Sequence, residues 1–528
     1  MNETPVFSRA AVAAPHLLAT EAGRNVLAEG GNAVEAMLAM ASTIAVVYPH
    51  MTGIGGDGFW LVRSPDGQVH YIEACGYAGA GANIAHYREQ ELDRIPARGP
   101  LAALTVPGAV GGWHLALDLA KALGGRMPLR VLLEFAIAQA SGGYAVSPCE
   151  ARTLPKELAG LREAPGFRQA FYIEDKPPTA GATRRPIALA DTLERLTRAG
   201  LDDFYRGDVA HEIAADLEKI GSLVTREDLR RYEAKTRKPL SLRLGDRVLY
   251  NSPPPTQGLA SLLILGMFER LGVKRRDSFE HIHGLIEATK RAMAIRDRVC
   301  TDHGQLRHDP RAFLSDAALA REAAAIDMRR AAALPIAPLE GDTVWMGAID
   351  VKGMAVSYIQ SIYWEYGSGC VLPRTGILMQ NRGLAFSLDP DATNPLTPGR
   401  RPPHTLNPPL AVFDDGRVLS YGSMGGDGQP QFQAQVFSRI AFGQNLADAV
   451  DAPRFLFGKT WGAESSTVKL EGRFDPALAR ALETAGHAIE VRGEAYSDDF
   501  GHAGALMREG RGIAATHDPR SDGGAAGI

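Results

Sequence analysis

The placement of strand-hairpin signatures along the 528 residues does most to limit the folds open to this chain. Phe59-Trp60-Leu61-Val62-Arg63 and Val69-His70-Tyr71-Ile72-Glu73 flank Pro65-Asp66-Gly67, a strand, turn, strand pattern. The same pattern returns after Thr343, first in a hairpin around Lys352-Gly353. It recurs where Leu410-Ala411-Val412-Phe413 and Val418-Leu419-Ser420-Tyr421 face each other across Asp414-Asp415-Gly416. From about Val110 to Ala333 helices dominate, most clearly where Ile282, Leu285, Ile286, Thr289 and Met293 form one stripe at i, i+3/i+4 spacing. Strands in both terminal thirds with helices between, rather than strict βαβ alternation, predict an α+β layered architecture with antiparallel sheets. The length admits one large domain or two intimately packed ones.

Near the start, Glu21 to Val47 favours helix almost throughout. Gly30-Gly31-Asn32 divides it into two helices, with a glycine stop and an asparagine cap. The net charge of −4, and basic clusters as short as Lys274-Arg275-Arg276 and Arg400-Arg401, exclude a nucleic-acid binder. The cysteines, at 75, 149, 300 and 370, are widely spaced and form no Cys-x-x-Cys pair, so neither a disulfide framework nor a zinc ribbon is implied. No secretory signal opens the chain and no stretch is apolar enough to span a bilayer, so a cytoplasmic protein without a membrane partner is expected.

Two motifs point away from the chemistry they suggest. Gly53-Ile54-Gly55-Gly56-Asp57-Gly58 has Gly-x-Gly-x-x-Gly spacing, but a helix precedes it and a strand follows. A dinucleotide fingerprint needs the reverse order, so a tight backbone turn packed near a site is the better reading. His281 and His283, two apart on a helix, point to different faces and lack a carboxylate cluster at ligand spacing, so no metal site is expected. A Gly-x-Ser-x-Gly elbow is also missing.

Gly341-Asp342-Thr343 stands at the start of a hairpin deep inside the chain. A threonine hydroxyl is a poor nucleophile without a base beside it. A cut just before Thr343 would supply that base as the residue's own α-amine, roughly one-seventh neutral at pH 7. The turn Gly422-Ser423-Met424-Gly425-Gly426 offers backbone N–H groups for an oxyanion, and Ser361 on the returning strand is placed to hydrogen-bond Thr343. The plain alternative is a β-branched residue opening a strand.

Ordered motifs over nearly the whole chain resemble the gamma-glutamyltransferase family of N-terminal nucleophile hydrolases. They include Gly30-Gly31-Asn32-Ala33-Val34-Glu35-Ala36, Pro49 through Gly58, Val106-Pro107-Gly108, Phe204-Tyr205-Arg206-Gly207 and Pro253-Pro254-Pro255-Thr256-Gln257-Gly258. Gly341-Asp342-Thr343, Gly367-Ser368-Gly369, Gly422 through Gly426 and Asp518-Pro519-Arg520 complete the set. The resemblance implies a four-layer αββα sandwich, made as an inactive precursor that cuts itself between Asp342 and Thr343. Residues 1–342 and 343–528 would then form a two-chain catalytic unit, with a dimer of such units left open. Thr343 would be nucleophile and base, Ser361 would replace the family's second threonine, and Gly425 with Gly426 would bind the oxyanion. No metal or organic cofactor would be needed.

The chain departs from the glutathione-using pattern in the substrate-binding segments. Cys75-Gly76-Tyr77-Ala78-Gly79 stands where the family has an arginine for the substrate α-carboxylate. Gln380-Asn381-Arg382-Gly383-Leu384-Ala385 replaces the segment whose aspartate holds the α-amine. Tyr363 replaces an asparagine, and His404-Thr405-Leu406 replaces Ser-Ser-Met. A γ-glutamyl group would lose charge-assisted bonds at both ends of its amino acid. Arg382, unless it is a solvated loop cation, suits a donor with a carboxylate and no α-amine, with Tyr363, His404 and Thr405 as further candidate contacts. This is similar to the family branch that hydrolyses oxamate to oxalate and ammonia in purine breakdown. Hydrolysis of a small anionic amide is therefore expected. A glutathione hydrolase or transferase, a glutaryl-amide acylase, or a binding protein that lost the cut remain alternatives, the last because Val344 and Trp345 alter the surroundings of the scissile bond.

Overall fold

The computed structural model describes residues 3–155, 160–333, 341–458 and 467–528. Two seven-stranded antiparallel sheets form its centre. The first runs in the order Gly524–Gly527, Ala11–Ala14, Asp342–Ile349, Ala355–Tyr363, Asp57–Arg63, Val69–Ala74 and Lys235–Arg237. The second runs Val6–Phe7, Gly512–His517, Ala503–Glu509, Val418–Ser423, Leu410–Phe413, Arg247–Asn251 and Leu240–Leu244. Segments on either side of the Asp342–Thr343 bond supply strands to both sheets, so the two parts of the chain share one structure.

Side-chain alternation then builds the layers. Along the central strands, Phe59, Leu61, Trp345 and Ile359 point between the sheets and meet Leu410 and Leu506 from the opposite side. Their sequence neighbours Trp60, Val62, Met346 and Val356 point outward onto the helices Leu17–Ala28, Ala33–Val47 and Ala109–Ala122. On the far side, Gly258–Arg270, Phe279–Val299 and Gly428–Ala441 cover the second sheet through a separate apolar cluster. Helix, sheet, sheet and helix give the αββα sandwich. Because both faces of each sheet are covered, the strands are buried along nearly their whole length.

The helix boundaries follow from local chemistry. Asn32 caps Ala33–Val47 by accepting from the N–H groups of Val34 and Glu35, and Glu35 Oε2 accepts from Asn32 N at 2.8 Å in return. The region from Val110 to Ala333 holds a hairpin that the helical expectation did not include, Leu240–Leu244 with Arg247–Asn251, beside the short strand Lys235–Arg237. It turns through Gly245, at φ 53°, and Asp246. Leu240, Leu242 and Leu244 are buried while Ser241 and Arg243 are exposed. Three alternating leucines carry this strand, too short a run to stand out against the helical periodicity on either side. Among the described residues no helix is long and apolar enough to cross a membrane.

A buried ion network ties the C-terminal strands together. Asp518 accepts from Arg454, from Arg520 and, at 2.7 Å, from the N–H of Ala503, while Glu471 accepts from Arg520. Burial alone would raise the Asp518 carboxyl, but Arg454 and Arg520 outweigh it and hold the group below the usual carboxylate range. Removing one partner leaves an uncompensated buried charge. Arg520→Ala is therefore expected to cost about 3–5 kcal/mol in urea unfolding. The depressed carboxyl makes its full contribution above about pH 5 and loses it as acid protonates the unfolded chain. The wild type should therefore lose stability on acidification more steeply than the variant.

Candidate functional site

Thr343 is 1% exposed, in the first turn of pairing between Asp342–Ile349 and Ala355–Tyr363. Asp342 opposes Tyr363 and Val344 opposes Gln360, so the register slips by one residue around Thr343. A bulge of this kind re-aims a side chain at the end of a ladder. Here the extra residue lies on the Ala355–Tyr363 strand, where Ser361 and Ile362 together face Thr343, while two-residue alternation puts Thr343 on the inter-sheet face of Trp345. Ser361, 1% exposed, lies on the adjoining strand directly opposite Asp57 of the next one. Thr343, Ser361 and Asp57 thus follow one another across three strands, at the end of the sandwich. Ser361 Oγ accepts from Tyr363 N at 2.7 Å, and Gln429 Nε2 donates to Thr343 Oγ1 at 3.2 Å.

The second sheet supplies the opposite wall. After the strand Val418–Ser423, Gly425 and Gly426 adopt φ of 120° and 50°, conformations that favour glycine, before the helix Gly428–Ala441 begins. Gln257 Nε2 donates to Gly426 O and Thr405 O, both at 2.8 Å. Arg296 donates to Gln257 Oε1 at 2.9 Å and forms a buried ion pair with Asp427. This chain pins the glycine turn to the loop carrying His404 and Thr405.

Arg382 is 1% exposed, so the solvated-cation alternative is overturned. Its guanidinium carbon lies 3.7 Å from the Tyr363 ring centroid, and Nη2 donates to Thr405 Oγ1 at 3.3 Å. Nη1 has no hydrogen-bond partner. Burial lowers the guanidinium to about 10, which leaves it cationic at neutral pH. Tyr363 itself sits at φ 82°, a strained conformation for a residue with a Cβ, and its ring packs against Gly341. His404 is fixed through its backbone, from His404 N to Pro255 O at 2.8 Å and from Gln257 N to His404 O at 2.9 Å. Neither ring nitrogen has a hydrogen-bond partner. Burial keeps the imidazole neutral. The structure therefore brings Thr343, Ser361, Gly425, Gly426, Tyr363, Arg382, His404 and Thr405 to one end of the sandwich.

Comparison with known proteins fits this arrangement. Residues 19–528 match the gamma-glutamyltranspeptidase family. The chain belongs to that family of N-terminal nucleophile hydrolases. It is 46% identical to the oxamate amidohydrolase proenzyme of Klebsiella pneumoniae and 35% identical to the glutathione hydrolase-like YwrD proenzyme of Bacillus subtilis, with 100% of each chain covered in both cases. Among solved structures, the cephalosporin acylase of Bacillus halodurans superposes with a TM-score of 0.91 at 31% identity, covering 100% of this chain and 97% of that one.

Within this family member, the glycine-rich segment that mimics a dinucleotide fingerprint is a close-packed turn. A Cβ on Gly56 would collide with the Ser361 carbonyl oxygen, and one on Gly55 with that of Leu378. Gln257, Asp57 and Gln429 were not singled out from the sequence as site residues. The first two stood inside quoted motifs, Pro253 through Gly258 and Gly53 through Gly58, and Gln429 lies three residues past Gly426. The histidine pair does diverge, His281 toward Ser438 and His283 toward His487. His283, Glu287 and His487 nevertheless meet, and Lys290 Nζ already supplies a cation there, donating to Glu287 at 2.7 Å. Trp345 is accommodated: Gly422 and Gly504 leave room for its indole, whose Nε1 donates to Ser357 Oγ at 2.9 Å. Gly56→Ala should displace the Ser361 strand and lower stability by about 1–3 kcal/mol, measured by thermal unfolding.

Proposed function

We propose that this protein is a self-processing threonine amidohydrolase whose substrate is a small anionic amide, with oxamate as the best candidate. The observation that carries this reading is the burial of Arg382 beside Tyr363 and Thr405, at the same end of the sandwich as Thr343. A buried guanidinium with an unpaired Nη1 is costly unless an anion completes it. The 46% identity to an oxamate amidohydrolase proenzyme over both full chains supports the choice of substrate.

Maturation begins when Thr343 Oγ1 adds to the Asp342 carbonyl. The C–N bond breaks, its nitrogen becomes the Thr343 α-amine, and water hydrolyses the resulting ester to release the Asp342 carboxylate. Residues 1–342 and 343–528 remain together because both contribute strands to each sheet. In turnover the α-amine takes the Thr343 hydroxyl proton, and the oxygen attacks the substrate amide. Charge on the tetrahedral oxygen falls to the Gly425–Gly426 turn, and Ser361 supports the nucleophile. Ammonia leaves with a proton returned by the amine, and water then releases the acid from Thr343. Arg382 holds the substrate carboxylate, and Tyr363, His404 and Thr405 line its pocket. Buried, unpaired cysteines support work in a reducing compartment such as the cytoplasm.

Turnover of oxamate, read as ammonia, of glutathione, read as glutamate, and of a glutaryl amide, read as glutarate, tests the reading, alongside a denaturing gel and N-terminal sequencing. Two fragments, the second starting at Thr343, and oxamate as the best substrate are expected. Glutathione as the better donor would favour a glutathione hydrolase, a preference for the glutaryl amide an acylase, and one intact inactive band a binding protein. Thr343→Ala should stay uncut and lose activity by about 10⁴-fold or more. Arg382→Met should raise KM for oxamate about 100-fold in steady-state assays, the loss of a charge-assisted pair worth about 2–3 kcal/mol.

A further inference from the structure

Asp57 is the buried carboxyl that the scheme above leaves without a task. It stands across Ser361 from Thr343, and one of its two oxygens is fully engaged. Oδ1 accepts from Gly76 N and Gly108 N, both at 3.0 Å, and from Gln380 Nε2 at 3.1 Å. These three donors fix the carboxyl plane. Oδ2 has no hydrogen-bond partner and lies 3.5 Å from His404 Nε2. Both nitrogens of His404 and Nη1 of Arg382 are likewise unpartnered. Four polar atoms, each on a side chain no more than 1% exposed, therefore stand unsatisfied at this end of the sandwich. Buried polar groups left this way cost stability unless a ligand or water completes them, and a small, polar, anionic ligand suits this donor set.

We propose that Asp57 is a specificity-determining residue that binds the substrate carboxylate as the neutral acid, its Oδ2–H donating to the carboxylate that Arg382 pairs with. This deepens, and rests on, the anionic-amide reading. As the carboxylate, Asp57 would repel the substrate and offset Arg382. As the acid, it adds a donor and leaves the guanidinium charge for the ligand. Burial raises the Asp57 carboxyl to about 7, against the three hydrogen bonds and Arg382, which lower it, so the neutral form is accessible near neutral pH. The groups facing it do not titrate with it: His404 is neutral, Arg382 is cationic, and burial holds the Cys75 thiol and the Tyr205, Tyr232 and Tyr358 phenols protonated.

Asp57→Asn keeps an oxygen for the three fixed donors and places an N–H₂ where the acid proton would be. Steady-state ammonia release from oxamate, with KM and kcat resolved between about pH 5.5 and 9, compares the two proteins. The Thr343 α-amine titrates in the same range in both, so the KM ratio isolates the carboxyl. That ratio, wild type over variant, should lie near one below about pH 6 and reach about tenfold one unit above the Asp57 value, with kcat little changed. A ratio that stays constant with pH overturns the proposal, as does a variant whose KM is raised alike at every pH. Should the variant not fold, calorimetry of oxalate binding to the processed wild type at pH 8, in buffers of different ionisation enthalpy, decides instead. Uptake clearly above the roughly half to two-thirds of a proton that the Thr343 α-amine can gain at pH 8 supports the role, and uptake at or below that fraction removes it. Wild type that releases ammonia from oxamate with no Asp57-dependent rise in KM removes only this inference. No ammonia from any small anionic amide overturns both readings.

Discussion

The slipped pairing at the start of the Asp342–Ile349 hairpin is the constraint on which the rest of the structure depends. Two-residue alternation from Trp345 carries Thr343 to the space between the sheets, and the bulge takes up its extra residue on the facing strand, between Gln360 and Tyr363. The strands around it allow little adjustment. Gly56 lies against the Ser361 carbonyl, Trp345 fills the space left by Gly422 and Gly504, and Tyr363 is held at positive φ. Close packing of this kind converts a weak local preference into one position for a hydroxyl.

The polar end of the sandwich is maintained by a chain of buried hydrogen bonds and ion pairs. Gln257 joins the Gly426 and Thr405 carbonyls, and Arg296 and Asp427 lock Gln257. Behind the glycine turn, the N–H of Met424 donates to His502 O at 3.1 Å, and His502 precedes Ala503, whose N–H is held by Asp518. The ion network of Asp518, Arg454, Arg520 and Glu471 thereby supports the turn through backbone rather than through charge. Satisfied networks of this sort give rigidity, while Arg382, His404 and Asp57 keep buried polar atoms without a hydrogen-bond partner at the same end.

Much of the fold was legible because hairpins announce themselves locally. The strands around Pro65-Asp66-Gly67 and Asp414-Asp415-Gly416 form where the turn residues place them, and Asn32 starts its helix by capping it. The Leu240–Leu244 hairpin was hidden because three alternating leucines carry little weight between long helical segments. At the site, Thr343, Gly425 and Gly426 were singled out by resemblance to the family's motifs. Asp57 was not, because it stood inside a glycine run whose evident purpose was backbone approach. Gln429 was not, because a glutamine on a helix carries no mark of what it faces. The two possibilities for Arg382 were separated by burial, a property of the assembled sandwich.

By itself the sequence determined most of the segments that become strands and helices and the antiparallel layered class, since these depend on turn chemistry and periodicity. Tertiary structure alone decided that Thr343 faces Gln429, that Arg382 stacks on Tyr363 out of water, and that Asp57 keeps one oxygen open beside His404. Those relations join positions from about twenty to several hundred residues apart. They arise only when two sheets close on each other and remove the water that would otherwise satisfy each group separately.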